Sequence, residues 1–204
     1  MAADRTSASA TERIEFALSW WNQQFVDALP RFGALLRSQL VDVVPARLDD
    51  EQDVLLYVTK DGDEFASWIG TDPRLFGSEP RTWDKLPIAL QRFLRETHPS
   101  LGINEYDTCG LTHPSRQISI YERTGFAEAG VAADKTQVGE YNGEVIDLSD
   151  IYELSWDTEQ HDYVTSPKFQ PGELAFLYEA DFEMVDFWPS LDDMLCMPYK
   201  NEVF

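Results

Sequence analysis

Val54-Leu55-Leu56-Tyr57-Val58-Thr59, followed by Lys60-Asp61-Gly62-Asp63-Glu64 and then Phe65-Ala66-Ser67-Trp68-Ile69, decides the fold class. The first run is rich in residues that favour strands, Asp61-Gly62 is a tight-turn pair, and Phe65 to Ile69 favours a strand again. Strand, turn and strand in this order predict a β-hairpin. Upstream, Ile14, Leu18, Trp21, Phe25, Ala28, Phe32 and Leu36 recur at steps of three and four, the helical period. Pro30 and Gly33 interrupt that pattern, so it reads either as two helices meeting near Pro30 or as one helix kinked there.

Downstream of the hairpin, Pro73, Gly77, Ser78 and Pro80 mark a loop that ends at Trp83. Leu86-Pro87 opens a short helix with Leu90, Phe93 and Leu94 inward and Gln91, Arg92, Arg95 and Glu96 facing water. Pro87 suits the first turn and Pro99 closes the helix. A further helix is expected from Pro114 to Arg123, started by Thr112 or His113 and stopped at Gly125. Beyond Gly139 the chain reads mostly as strand, with Glu173 to Leu177 and Glu183 to Trp188 as the clearest runs. Pro189-Ser190 then begins a last helix through Asp192, Asp193, Met194 and Leu195, its acids favoured by the helix dipole. The sequence thus predicts a single α+β domain, a mixed or antiparallel sheet with packed helices and an N-terminal helical extension. Residues 1–10 are a flexible lead, 11–70 carry helices and the hairpin, and 71–204 form an α+β core continuous with them.

The 204 residues include 37 acids and 16 bases, for a formal charge of −21. That balance excludes a basic nucleic-acid binder, while six Trp, eight Tyr and twelve Phe exclude a charge-rich disordered tail. A chain of this length buries about 70% of its unfolded surface, enough for a core without metal or disulfide. The charge is uneven: residues 127–204 hold 18 acids against Lys135, Lys168 and Lys200, a net of −15, and the preceding residues carry only −6. Such asymmetry concerns partners and association rate. Cys109 and Cys196 lie in unrelated segments without CxxC spacing, and no apolar leader or span of ~18 residues is visible, so a soluble, cytoplasmic protein with no membrane association is expected.

Catalytic motifs are sparse. His98, His113 and His161 are scattered without zinc-ligand spacing, and a nucleophile pair of Cys109 with His98 or His113 has no supporting motif. GxSxG, P-loop and Rossmann patterns are absent from the sequence. The reading assigns no catalytic residue, metal or cofactor.

The carboxylates carry more information. Between Glu173 and Glu183, Glu179, Asp181 and Glu183 alternate with apolar residues. In an extended segment they would share one face at a spacing of roughly 6.5 to 7 Å, a row that repels itself and welcomes a cation. If residues 179–182 form a hairpin turn, the row breaks. The EF-hand pattern is absent, which argues against Ca²⁺. A second set, Asp147, Asp150, Glu153 and Asp157, falls within roughly a 120° arc of a helical wheel. Glu159 and Asp162 follow, Asp186 closes the acidic region, and Tyr152, Trp156 and Tyr163 are interleaved. Carboxylates around aromatic anchors suit a surface that grips a basic protein. The candidate contact residues are Asp147, Asp150, Glu153, Trp156, Asp157, Glu159, Glu179, Asp181, Glu183 and Asp186.

Two stretches carry family resemblances. Ile118-Ser119-Ile120-Tyr121-Glu122-Arg123-Thr124-Gly125-Phe126 resembles a segment near the end of acyl-CoA-dependent N-acetyltransferases, which implies Tyr121 as a proton donor. The segment at Leu86-Pro87-Ile88-Ala89 lacks that family's phosphate-holding glycine turn. Leu86-Pro87-Ile88-Ala89-Leu90-Gln91-Arg92-Phe93-Leu94-Arg95 resembles the "LPxxxxxFL" helix of the SUKH superfamily of immunity proteins, and Pro189-Ser190-Leu191-Asp192-Asp193-Met194-Leu195 is similar to its closing helix. The resemblance spans roughly residues 83–197. His98-Pro99-Ser100 stands where that family has Gly-Gly. It implies a non-enzymatic protein that neutralises a co-encoded basic toxin, a nuclease among the candidates, without binding nucleic acid directly. The alternatives are a nucleic-acid mimic that inhibits a DNA-binding enzyme, and the acetyltransferase.

Overall fold

In a computed structural model, which describes residues 9–48, 52–103, 109–156, 162–178 and 181–197, the hairpin is built from strands β2 (Asp53–Asp61) and β3 (Glu64–Thr71). Asp61 pairs with Glu64, leaving Gly62 and Asp63 as the turn. Gly62 alone of the two has a positive φ, 56°, as a turn with glycine in the first central position requires. The turn therefore sits one residue further along than the Asp61-Gly62 pair suggested.

The hairpin lies inside a nine-stranded sheet of order β1-β2-β3-β4-β5-β8-β9-β10-β11. The other strands are β1 (Leu40–Arg47), β4 (Leu101–Ile103), β5 (Cys109–Leu111), β8 (Tyr152–Trp156), β9 (Asp162–Thr165), β10 (Leu174–Tyr178) and β11 (Asp181–Val185). Every pairing between them is antiparallel, so the sheet is antiparallel throughout its described strands. Strand β1, which the sequence did not reveal, contains Pro45. Proline is tolerated because β1 is an edge strand, where a missing N–H breaks no ladder. Strands β6 (Gln137–Tyr141) and β7 (Glu144–Asp147) form a separate hairpin. Its turn, Asn142-Gly143, has φ of 51° and 81°, the doubly positive geometry that this dipeptide favours.

The N-terminal helical pattern resolves into three helices. Helix α1 (Ala10–Leu18) opens with a reciprocal capping box between Ser9 and Glu12. Helix α2 (Gln23–Ala28) is capped by Asn22, whose side chain accepts from the Phe25 N–H at 2.8 Å. Leu29, at φ −121° and ψ 64°, breaks the helix, and Pro30 occupies the first turn of α3 (Pro30–Gln39). Gly33 is an ordinary interior residue of α3, not a break. The Arg13 guanidinium grips Asp42 at 2.8 and 2.6 Å, fastening α1 to β1 and holding the Asp42 carboxyl below its ordinary range.

Helix α4 (Ile88–Arg92) widens into a π turn over Phe93–Thr97 that closes with the His98 N–H on the Phe93 carbonyl at 2.9 Å. Leu90, Phe93 and Leu94 are fully buried, as their spacing predicted. The helix expected from Pro114 to Arg123 is divided. Pro114–Arg116 makes a 3₁₀ turn, Gln117 leaves helical geometry, and Ser119 caps the single turn α5 (Ile120–Arg123) through a second capping box. The last helix, α6 (Phe187–Cys196), begins two residues before Pro189, so Trp188 belongs to it and not to a strand.

Two apolar layers flank the sheet. On one side α1 to α4 and α6 bury Trp21, Phe25, Phe32, Tyr57, Trp68, Phe93 and Leu195 in one core. Phe25 and Phe93 stack at 4.0 Å, and Trp21 packs edge-on to Tyr57 at 5.5 Å. On the other side the β6–β7 hairpin covers Val164, Ala175 and Leu177 with Ile146 and its neighbours. Because residues 11–70 supply three strands of the same sheet and much of the same core, the chain is a single α+β domain. Cys109 and Cys196 are buried thiols. Among the described residues no helix is long and apolar enough to cross a membrane.

Candidate functional site

Strand β11 forms the edge opposite β1. It pairs with β10 without a register shift, Leu174 opposite Val185, Phe176 opposite Glu183 and Tyr178 opposite Asp181. The alternation of a strand therefore places Glu183 and Val185 on the face shared with the helices, and Phe182 and Met184 on the face shared with the β6–β7 hairpin. Strands β10 and β11 run antiparallel, and of the expected row Glu179, Asp181 and Glu183 only the Glu183 side chain is described; Glu179 lies outside the described residues.

Where β11 turns into α6, Glu173, Glu183, Val185, Asp186, Pro189 and Asp193 line an open groove of about 630 Å³. Glu183 and Asp186 are exposed and have no cationic partner among the described residues. Glu173 accepts from the Tyr141 hydroxyl at 2.6 Å and the Gln170 N–H at 2.7 Å, and this carboxylate raises the affinity of Tyr141 for its proton. Asp193 is the one groove carboxylate with an ion-pair partner among the described residues, Arg31 of α3. An open depression lined by four carboxylates, one of them paired with Arg31, concentrates negative potential where solvent can reach it.

The second acidic set does not lie on a helix. Asp147 ends β7, Asp150 lies in the turn that follows, and Glu153 is within β8. Backbone pairing of Tyr152, Glu153, Ser155 and Trp156 with β9 prevails over the helical spacing. Asp147 holds its own turn by accepting from the Ser149 N–H at 2.8 Å and hydroxyl at 2.6 Å. Asp150 receives Lys168 Nζ at 2.7 Å. Glu153 is buried, accepts from the Thr112 hydroxyl at 2.7 Å and pairs with Arg123, which also binds Asp162 at 2.6 and 2.9 Å. All three carboxylates have partners within the chain; Glu153 is buried, while Asp147 and Asp150 are half-buried. Asp157 and Glu159 lie outside the described residues, and the side chains of Trp156 and Asp181 are not placed.

Sequence reasoning missed Arg123, whose role depends on β8 and β9 presenting Glu153 and Asp162 together. It also missed Glu140 and Glu144, exposed beside the turn of the β6–β7 hairpin. The Asn142-Gly143 dipeptide was a usable signal for that hairpin. Of the residues considered for nucleophilic chemistry, His98 has both ring nitrogens engaged, by the Tyr57 hydroxyl at 2.6 Å and the Thr71 carbonyl at 2.9 Å. The Cys109 thiol donates to the Met194 carbonyl at 3.9 Å. The Tyr121 hydroxyl donates to the Val131 carbonyl. Among the described residues no group of three or more His, Cys, Asp or Glu side chains could hold a metal ion. No family model, curated protein or solved structure matches the chain.

Proposed function

We propose that this protein is a non-enzymatic acidic binding protein of the immunity type, which neutralises a basic toxin by covering it with the β11–α6 face. The observation that carries the reading is the pair of exposed, uncompensated carboxylates Glu183 and Asp186 on the groove, with Glu173 beside them. Three other carboxylates of the acidic half are offset internally: Lys168 pairs with Asp150, and Arg123 with Glu153 and Asp162. Glu140 and Glu144 extend the negative surface on the β6–β7 hairpin. A basic partner would gain from this field chiefly in encounter rate and orientation. Its aromatic and aliphatic anchors would meet Met184 and Tyr178, which are exposed large apolar side chains on β11 and β10.

The test takes the protein that the full chain captures from native lysate and titrates it calorimetrically with the full chain from 50 to 300 mM salt. The wild type is expected to lose affinity about tenfold or more across that range. The double variant Glu183→Lys, Asp186→Lys is expected to lose most binding at low salt, while Asp63→Lys, at the far hairpin, retains it. Salt-independent affinity, or full binding by the groove variant, would sink the proposal. Displacement of the chain from its partner by duplex DNA would instead favour a nucleic-acid mimic.

A further inference from the structure

The two edges of the sheet are finished differently. On β1 the backbone is closed to a further strand: Pro45 has no N–H to offer, the Val43 N–H is held by the Asp42 carboxylate at 2.7 Å, and Asp42 is itself clamped by Arg13 of α1. Proline on an edge strand, and a helix fastened beside it, are common means of blocking an edge. Strand β11 has neither proline, lysine nor arginine, and its pairing with β10 runs without a bulge. Among the described residues its outer side meets no strand, and residues 182–185 make no backbone hydrogen bond outside the β10 ladder.

A strand with one side of its backbone unpaired is a template for another. The side chains decide what the template accepts. Glu183 on the helix face, Met184 on the hairpin face and Asp186 at the end of the strand are all exposed, and each lines the open groove. An added strand would set alternate residues beside Glu183 and beside Met184. A second copy of β11 would bring Glu183 and Asp186 against carboxylates of its own kind, which opposes edge-to-edge pairing of two copies. A cationic strand is favoured by the same groups, with Glu173 beside them.

We propose that an extended segment of the basic partner adds to the sheet as a further strand along β11, with lysine or arginine at the positions beside Glu183 and apolar residues at the positions beside Met184. The inference rests on the reading of the groove as the contact face for a basic partner and adds the mode of binding to it. Backbone hydrogen bonds to β11 supply affinity, and the alternation of cationic and apolar side chains supplies selectivity. The blocked edge at β1 confines such addition to one end of the sheet.

The probes are an end-blocked peptide of about seven residues alternating lysine and valine, its counterpart N-methylated at the internal amides, and a glutamate–valine peptide of the same length. N-methylation keeps the charge and the side chains and removes the donors. Affinity by fluorescence anisotropy and backbone hydrogen exchange of the full chain are the readouts. The lysine–valine peptide is expected to bind and to slow exchange at alternate amides of residues 182–185, with no change over Leu40–Arg47. The N-methylated peptide should bind about tenfold more weakly or worse, the glutamate–valine peptide should not bind, and Glu183→Gln should weaken the lysine–valine peptide about threefold. Equal binding by the N-methylated peptide, unchanged exchange at β11 with the peptide bound, or slowed exchange at β1 instead would overturn strand addition while leaving the charge reading of the groove intact. Failure of the lysine–valine peptide to bind would also overturn strand addition, whereas the groove reading falls only with the salt titration and the Glu183→Lys, Asp186→Lys variant.

Discussion

Lowering the pH through the histidine range should unload stability from one buried residue, and the size of the effect follows from its surroundings. His98 is 1% exposed in the aromatic core. Trp21 donates to the Tyr57 hydroxyl at 3.0 Å, Tyr57 in turn donates to His98 Nε2 at 2.6 Å, and His98 Nδ1 donates to the Thr71 carbonyl at 2.9 Å. A second ring proton would turn the acceptor of this chain into a donor, and burial opposes the charge directly, so the imidazole is held down to about 4 from its ordinary 6.5. The unfolded chain takes up the proton near 6.5 and the folded chain only near 4. Stability is therefore complete above about pH 6.5, falls by up to about 1.4 kcal/mol per pH unit between these values, and is flat below about 4. The whole interval amounts to about 3 kcal/mol, a large fraction of the stability of a typical domain. Urea unfolding from pH 7.5 to 4, on the wild type and on His98→Gln, isolates the contribution, because carboxylates and the other histidines titrate in both. The variant starts less stable, but its stability should fall less steeply from pH 6.5 to 4.5. Parallel profiles for the two proteins would refute the account of a neutral, sealed imidazole.

Other parts of the fold make equally direct predictions. Asp192, buried in α6, accepts from the Arg31 and Phe32 N–H groups at 3.0 and 2.8 Å and thereby caps α3; Asp192→Ala should cost about 2 to 3 kcal/mol by chemical denaturation, and Asp192→Asn markedly less. Gly70→Ala would put its Cβ at 2.6 Å from the His98 ring, so the strand or the imidazole must shift, at about 1 to 3 kcal/mol and with a changed near-ultraviolet signal from Trp21. Arg123→Met removes the shared cation from Glu153 and Asp162, both buried; with 39% of the arginine side chain open to solvent, a loss of about 2 kcal/mol at pH 7 is expected in thermal unfolding.

Where periodicity and turn chemistry are local, the sequence determined this protein well. The β2–β3 hairpin, the inward Leu90, Phe93 and Leu94, and the α+β class follow from alternation, the Asp-Gly-Asp turn and helical spacing, all set within a few residues of one another. The net charge and its concentration beyond residue 126 follow from composition alone. What required the tertiary structure was the allocation of that charge. Helical spacing grouped Asp147, Asp150 and Glu153 with Asp157, but pairing with β9 made Tyr152–Trp156 a strand, turned Glu153 inward and delivered it to Arg123, 30 residues away in the chain. Asp192 suited the first turn of its own helix by sequence; α3 and α6 packing together made it the cap of another helix instead. The edge position of β1, which excuses Pro45, is likewise a property of strand order. A carboxylate's neighbours decide whether it is a contact, a cap or a buried partner, and in this chain those neighbours come from distant segments. Glu183 and Asp186 are left facing solvent, with no base paired to them among the described residues.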